Sequence, residues 1–203
     1  MELLSKHKSE PPSLVILIRH AEKPGESKGH AITDDETTDP NLSPLGYYRA
    51  GAYAAYFDAE KNGGLYPPVD YIFATAASHK SNRPVLTVTQ LAAALGKKIH
   101  HNYGNDQSGI DALAADVLSG AYAGQTVLIC WHHGTMPAVA AALGYDDAPK
   151  VPGTSFDVVW QLEWKSGSAA PSFTPSTENL MYDDAASLQT LDVAATMAAT
   201  PQR

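Results

Sequence analysis

Hydrophobic positions along this chain follow two alternating patterns. Leu14-Val15-Ile16-Leu17-Ile18 is an uninterrupted apolar run with β-branched content, the pattern of a strand buried on both faces. Val69-Asp70-Tyr71-Ile72-Phe73-Ala74 and the run from Thr126 to Cys130 predict two further strands. Phe156, Val158, Trp160, Leu162 and Trp164 alternate with polar or smaller residues, which predicts a final strand with one less buried face. Between the strands, apolar positions step by three and four. Ser43 reads as a helix N-cap with Pro44 at the first helical position. Leu45, Tyr48, Ala52, Ala55 and Ala59 form its apolar face, and Gly63-Gly64 stops it. A second helix opens at Ser81 or Asn82, carries Val85, Val88, Ala92 and Leu95, and ends at Gly96. A third takes Ser108 as cap, with Asp111 three residues on in a capping-box-like start, and presents Ile110, Leu113, Ala114, Val117, Leu118 and Ala121. A short helix runs from about Thr135 to Leu143. Strands alternating with helices predict a three-layer α/β/α sandwich with a mostly parallel central sheet.

Outside these elements the chain changes character. Residues 1–12 read as a flexible arm, and Glu22 to Asp39 as a long polar loop bordering a site. Positions 166–203, rich in Ser, Ala, Thr and Pro, read as an irregular tail with a weak helix near Asp183 to Ala199. No internal repeat is visible, and 203 residues suit a single domain spanning the chain. A net charge of −8 without a basic stripe argues against a nucleic-acid partner. No apolar stretch is long enough for a bilayer, which argues against membrane insertion. The first residues lack an apolar segment before Pro11-Pro12, so a cytoplasmic location is expected. The single cysteine, Cys130, falls in a predicted buried strand and reads as an inert core thiol. Nothing in the sequence indicates an oligomeric state.

The chemistry begins where the first strand ends, at Arg19-His20-Ala21. Open α/β sheets bind ligands beyond the carboxyl ends of their strands. A guanidinium suits a planar polyanion such as phosphate, and an imidazole serves as nucleophile or proton carrier near neutral pH. Three further segments extend the pattern: Asn41-Leu42-Ser43-Pro44-Leu45-Gly46-Tyr47-Tyr48-Arg49-Ala50, then Ser81-Asn82-Arg83-Pro84 leading into Val85-Leu86-Thr87, and Val127-Leu128-Ile129-Cys130-Trp131-His132-His133-Gly134. In this order they resemble the histidine phosphatase superfamily, the phosphoglycerate-mutase-like fold, over roughly residues 14–165. That family opens with Arg-His-Gly or Arg-His-Ala, continues with a Leu-Ser/Thr-x-x-Gly-x-x-Arg-Ala helix start, places a second Arg at a later helix and a second His after a late strand. The resemblance implies a phosphomonoesterase in which His20 becomes phosphorylated while Arg19, Arg83 and a late histidine hold the phosphoryl group. It implies a phosphorylated substrate or inorganic phosphate as ligand, and no metal or cofactor.

The residues themselves fit that chemistry. Phosphoryl transfer needs an in-line nucleophile, positive donors on the equatorial oxygens and a proton for the leaving oxygen. Arg19 and Arg83 near His20 lower its pKa by like-charge repulsion and keep it neutral. Adjacent residues of a strand point oppositely, so one of His132 and His133 enters the pocket. His133-Gly134 matches the family's frequent pair and is preferred; His132, five residues before Pro137, matches a spacing that some members use. The short helix that follows is expected to aim its amides at the anion, with Thr135 as its cap. Glu22 and Asp106 are the candidate proton donors, with a solvated loop carboxylate as the alternative reading of each. Arg49 reads as an ion pair steadying the site. Asp34-Asp35-Glu36 lacks calcium-loop spacing and His100-His101 lacks partners at zinc spacing, so no metal site is expected. Two other functions compete: a phosphosugar mutase of the same fold, and a catalytically weak phosphate-binding or scaffolding module. Substrate choice falls to the 22–42 loop, the 97–108 segment and the tail, none of which carries a readable code.

Overall fold

A computed structural model describes residues 10–25, 39–181 and 184. The elements run β1 (Leu14–Arg19), α1 (Pro44–Tyr56), β2 (Tyr71–Thr75), α2 (Arg83–Leu95), β3 (Ile99–Tyr103), α3 (Gln107–Val117), β4 (Thr126–Trp131), α4 (Met136–Ala142), β5 (Val158–Glu163) and β6 (Ser172–Thr177). The six strands form one sheet in the order β3-β2-β4-β1-β5-β6. The β3, β2, β4 and β1 neighbours pair in parallel; β5 runs antiparallel to β1, and β6 antiparallel to β5. The mostly parallel α/β architecture expected from the sequence is therefore present. The Asp34-Asp35-Glu36 run, positions 1–9 of the arm and, apart from Asp184, the expected helix near Asp183 to Ala199 lie outside the described residues. Among the described residues, no helix is long and apolar enough to cross a membrane.

Strand parity explains the unbroken apolar runs. Val15 and Leu17 of β1, with Val127, Ile129 and Trp131 of β4, pack on one face against α3 and α4. Leu14, Ile16 and Ile18, with Leu128 and Cys130, pack on the other face against α1 and α2. A central strand covered on both sides has no solvent face to mark with polar residues.

Four sequence expectations change. Helix α1 is rotated by about one position from its expected face: Gly46, Arg49, Ala50 and Tyr53 point inward, while Leu45 is 48% and Tyr48 74% exposed. The inward stripe contains a buried charge, which a purely apolar periodicity passes over. Helix α3 is capped by Asp106, whose side chain accepts from Gly109 N, rather than by Ser108. Strand β3 went unpredicted because Ile99-His100-His101-Asn102-Tyr103 is a polar edge strand, half exposed. Strand β6 lies within the segment read as an irregular tail; its Pro175 is tolerated because the strand is at the other edge.

Candidate active site

Arg19, His20, Glu22, His132 and His133 lie at or just beyond the carboxyl ends of β1 and β4, Arg83 opens α2 after β2, and Asp106 caps α3. The β1–β4 ladder is in register, Ile18 opposite Cys130 and Arg19 opposite Trp131. It continues one step further, His20 N donating to Trp131 O at 3.0 Å. His20 and His132 therefore share a face, and their rings meet edge-on with centroids 5.2 Å apart and planes at 72°. The ring that meets His20 edge-on is thus that of His132, the alternative to the preferred His133. The expected anion-facing amides are also engaged elsewhere: Thr135 N and Met136 N donate to His132 O at 3.1 and 3.0 Å. Thr135 occupies the cap position without a side-chain cap bond, and its hydroxyl donates to Asn105 Oδ1.

His20 is fully buried, with Nδ1 2.8 Å from Ala21 O. A carbonyl can only accept, so Nδ1 carries the hydrogen and Nε2 the lone pair. Nε2 is buried without a hydrogen bond. Burial, followed by the charge of Arg19, the neighbouring His132 and the charge of Arg83, holds the imidazole well below its ordinary pKa, against a smaller opposing effect of the Ala21 carbonyl. The ring is therefore neutral at pH 7, as a nucleophile requires. Thr87 fixes the backbone behind it: its hydroxyl accepts from Ala21 N at 2.9 Å and donates to Arg83 O at 2.8 Å. One α2 side chain thereby links the histidine loop to the arginine that opens that helix.

The two arginines are aimed by backbone oxygens. Because β5 runs antiparallel to β1, the loop leading into it lies at the end where Arg19 sits. Arg19 Nη1 donates to Gly153 O at 2.8 Å, Ser155 O at 2.7 Å and Pro152 O at 3.4 Å. Its guanidinium carbon lies 3.6 Å from the Phe156 ring centroid, a cation–π contact. Arg83, the first residue of α2 and fully buried, donates through Nη1 to Asp39 O at 2.9 Å and through Nη2 to Lys80 O at 3.4 Å.

The chain matches no family model and no curated protein. Among solved structures it is similar to SixA of Agrobacterium tumefaciens, described there as a candidate phosphohistidine phosphatase. That match covers 83% of this chain and 99% of the other, at 19% identity and a TM-score of 0.53. It is also similar to a protein histidine phosphatase SixA complexed with tungstate, over 81% of this chain and 96% of the other, at 14% identity and a TM-score of 0.52. The chain shares the fold of these SixA structures, a phosphoglycerate-mutase-like fold.

Within this fold, Glu22 gathers the residues of the helix-start motif. Ser43 N donates to Glu22 O at 2.9 Å, and Ser43 Oγ caps α1 by accepting from Gly46 N at 3.0 Å. A Cβ on Gly46 would fall 2.4 Å from Glu22 O, so only glycine permits this approach. One turn on, Arg49 Nη2 and Nε hold the Glu22 carboxylate at 2.7 and 3.0 Å. Ser43, Gly46 and Arg49 are spaced by three because all three touch one residue. The carboxyl expected as a proton donor is thus held in a buried ion pair with Arg49, 6% exposed. Asp106 is engaged as well, capping α3 and accepting from Ser108 Oγ at 3.1 Å. His100, considered for zinc, stacks on Phe73 with centroids 4.9 Å apart. Among the described residues, no group of three His, Cys, Asp or Glu is placed to hold a metal. Cys130 is buried, and burial pushes its thiol pKa up.

Several contributors went unread in the sequence: Thr87, Phe156, the 152–155 carbonyls, Glu178 and Asp184. Thr87 had a detectable signal, four residues after Arg83 and therefore on the same helical face. The carbonyls had none, because backbone atoms leave no trace in residue type.

Proposed function

We propose that this protein is a metal-independent phosphomonoesterase that works through a phosphohistidine on His20. One arrangement supports the reading above all: a neutral, buried Nε2 whose tautomer is set by Ala21 O, with Arg19, Arg83 and His132 around the same ring. In this scheme Nε2 attacks phosphorus, the bond to the leaving oxygen breaks, and Arg19 and Arg83 oppose the charge on the equatorial oxygens. Water then attacks the phosphorus of the phosphohistidine, releasing inorganic phosphate and returning Nε2. His132 takes the part first given to His133, as a donor to the phosphoryl group. The cytoplasmic setting expected from the sequence belongs to the same proposal.

Both carboxylates considered for protonating the leaving group are engaged in other bonds. This favours substrates whose leaving group needs little help, such as aryl phosphates and phosphorylated imidazoles, over alkyl phosphates. A phosphorylated protein side chain of the kind named for the SixA proteins fits that class. The same observation favours, as a second reading, a phosphate-binding module with feeble turnover.

Turnover of an aryl phosphate separates the two. A labelled substrate quenched without acid should leave an acid-labile, base-stable adduct on the wild type and none on His20→Ala. Wild-type turnover by His20→Ala overturns the assignment. Phosphate binding without turnover or adduct favours the binding module.

A further inference from the structure

Arg49 is the meeting point of three distant stretches of chain. Besides Glu22 of the histidine loop, its Nη1 donates to Glu178 Oε1, just beyond β6, and to Asp184 Oδ2 at 2.8 Å, while Nη2 donates to Asp184 Oδ1 at 2.6 Å. The topology makes this possible. Strand β6 lies antiparallel to β5 and so runs in the direction of β1, which brings its end to the edge that carries His20. Glu178 N donates to Asp157 O at 2.9 Å, docking the segment there.

Among the described residues hydrogen-bonded in this cluster, carboxyls outnumber guanidinium groups three to one. One guanidinium faces three carboxyls whose side chains are 8%, 0% and 7% exposed, those of Glu22, Glu178 and Asp184. Asp157 is a fourth acid close to Arg49, Glu22 and Asp184. The other titratable groups facing Glu178 among the described residues are the Tyr53 and Tyr56 phenols from α1 and the Cys130 thiol from β4, all neutral in this setting. Glu178 is the most buried of the carboxyls, and its Oε2 and the Tyr53 hydroxyl are enclosed beside one another. An ionised carboxyl in that position would be desolvated beside two further acids that share the same guanidinium, whereas a protonated one carries no charge into the interior.

We propose that Glu178 serves as a positioning residue in its neutral acid form, holding Arg49 and through it the Glu22 loop that carries His20. Neutral Glu178 accepts from Arg49 through Oε1 and leaves the guanidinium's charge to Glu22 and Asp184. Loss of its proton sets like charges against one another and loosens the segment from the histidine loop. Burial pushes the Glu178 carboxyl up to about 8, in keeping with this role. The part concerning His20 rests on the phosphatase reading; the part concerning the proton does not.

The sign of the linkage follows. A carboxyl whose ordinary value is 4.5 and whose folded value is about 8 takes up a proton on folding between those limits. Its contribution to stability is complete below the lower value and is lost as pH rises through the upper one. Glu178→Gln keeps the acceptor and removes the titration. From pH 5 to 8, the wild-type unfolding constant should therefore rise relative to that of Glu178→Gln by about tenfold per pH unit. The wild type should also lose kcat/KM toward an aryl phosphate between pH 7 and 9, a decline absent from the variant. Parallel unfolding curves, or superimposable pH–rate profiles, overturn the proposal. Absence of turnover in both proteins overturns the phosphatase reading instead, and the unfolding curves alone then decide the proton.

Discussion

Two buried arginines stand at the same edge of this sheet and are held in opposite ways. Arg19 is gripped by three carbonyl oxygens and the face of Phe156; Arg49 is gripped by three carboxyls. A carbonyl orients a guanidinium without cancelling its charge, whereas a carboxylate does both. Arg49 is therefore spent on the fold, joining the histidine loop, α1 and the chain after β6. The charge of Arg19 reaches His20, where it helps depress the imidazole pKa. Burial of an arginine alone does not mark an anion site; the chemical nature of its partners separates scaffold from chemistry.

The contrast can be broken most forcefully at Arg49. Arg49→Met leaves Glu22, Glu178 and Asp184 without the guanidinium they share, and breaking a buried ion pair costs about 3–5 kcal/mol. Arg19→Met leaves the carbonyls of the 152–155 loop without a donor, at a cost of about 1–3 kcal/mol. Urea unfolding should rank the two in that order. A loss below about 1 kcal/mol for Arg49→Met would mean that the carboxyl cluster contributes nothing net.

Activity should invert the ranking among variants that stay folded. On the proposed phosphatase reading, Arg19→Ala and Arg83→Ala each remove a charge-assisted partner of the phosphoryl group, worth about 1.5–3 kcal/mol, or roughly ten- to a hundredfold in kcat/KM. Inhibition by inorganic phosphate should weaken in parallel. Unchanged phosphate inhibition in folded Arg83→Ala would remove that residue from the phosphate site.

The histidine pair shows how much of this was legible beforehand. The apolar runs at 14–18 and 126–130 located β1 and β4, because a strand covered on both sides has one hydrophobic signature. Their in-register pairing was not written in either run alone, yet it decides which histidine meets His20. The 112-residue offset between Leu14 and Thr126 carries His20 onto His132. The Gly134 argument pointed to His133 instead, and a Cβ at Gly134 would meet nothing within 4 Å. Polar edge strands β3 and β6 escaped notice for want of an apolar period, and with β6 went Glu178 and Asp184. The rotation of α1 was hidden because its inward stripe includes Arg49. The comparison sharpens here: His132→Ala should cost roughly tenfold or more in kcat/KM, as for loss of a charged hydrogen bond. His133→Ala should stay within about twofold, as expected away from the chemistry. The reverse order would show that the strand parity does not extend past Trp131.

The gentlest effect concerns pH, and it reads the charge of Arg19 at His20 directly. In the unfolded chain an imidazole titrates near 6.5; in the fold, burial, Arg19, His132 and Arg83 place that titration well lower. Between the two values the unfolded chain holds a proton that the folded one does not, so acidification favours unfolding. The stability tied to neutral His20 is complete above 6.5 and is lost as pH falls through the folded value. His20→Gln preserves a donor to Ala21 O but cannot titrate. Below pH 6.5, wild-type stability should therefore fall relative to His20→Gln by up to about 1.4 kcal/mol per pH unit, the value of one proton. Using the difference between two proteins cancels the opposite-signed contribution of Glu178. Repeating the pair in an Arg19→Met background should shrink the acid-side difference, since one of the charges opposing protonation is gone. An acid-side difference unaltered by Arg19→Met would mean that the carbonyl-held guanidinium does not reach the imidazole, and the distinction between the two arginines would fail at its functional end.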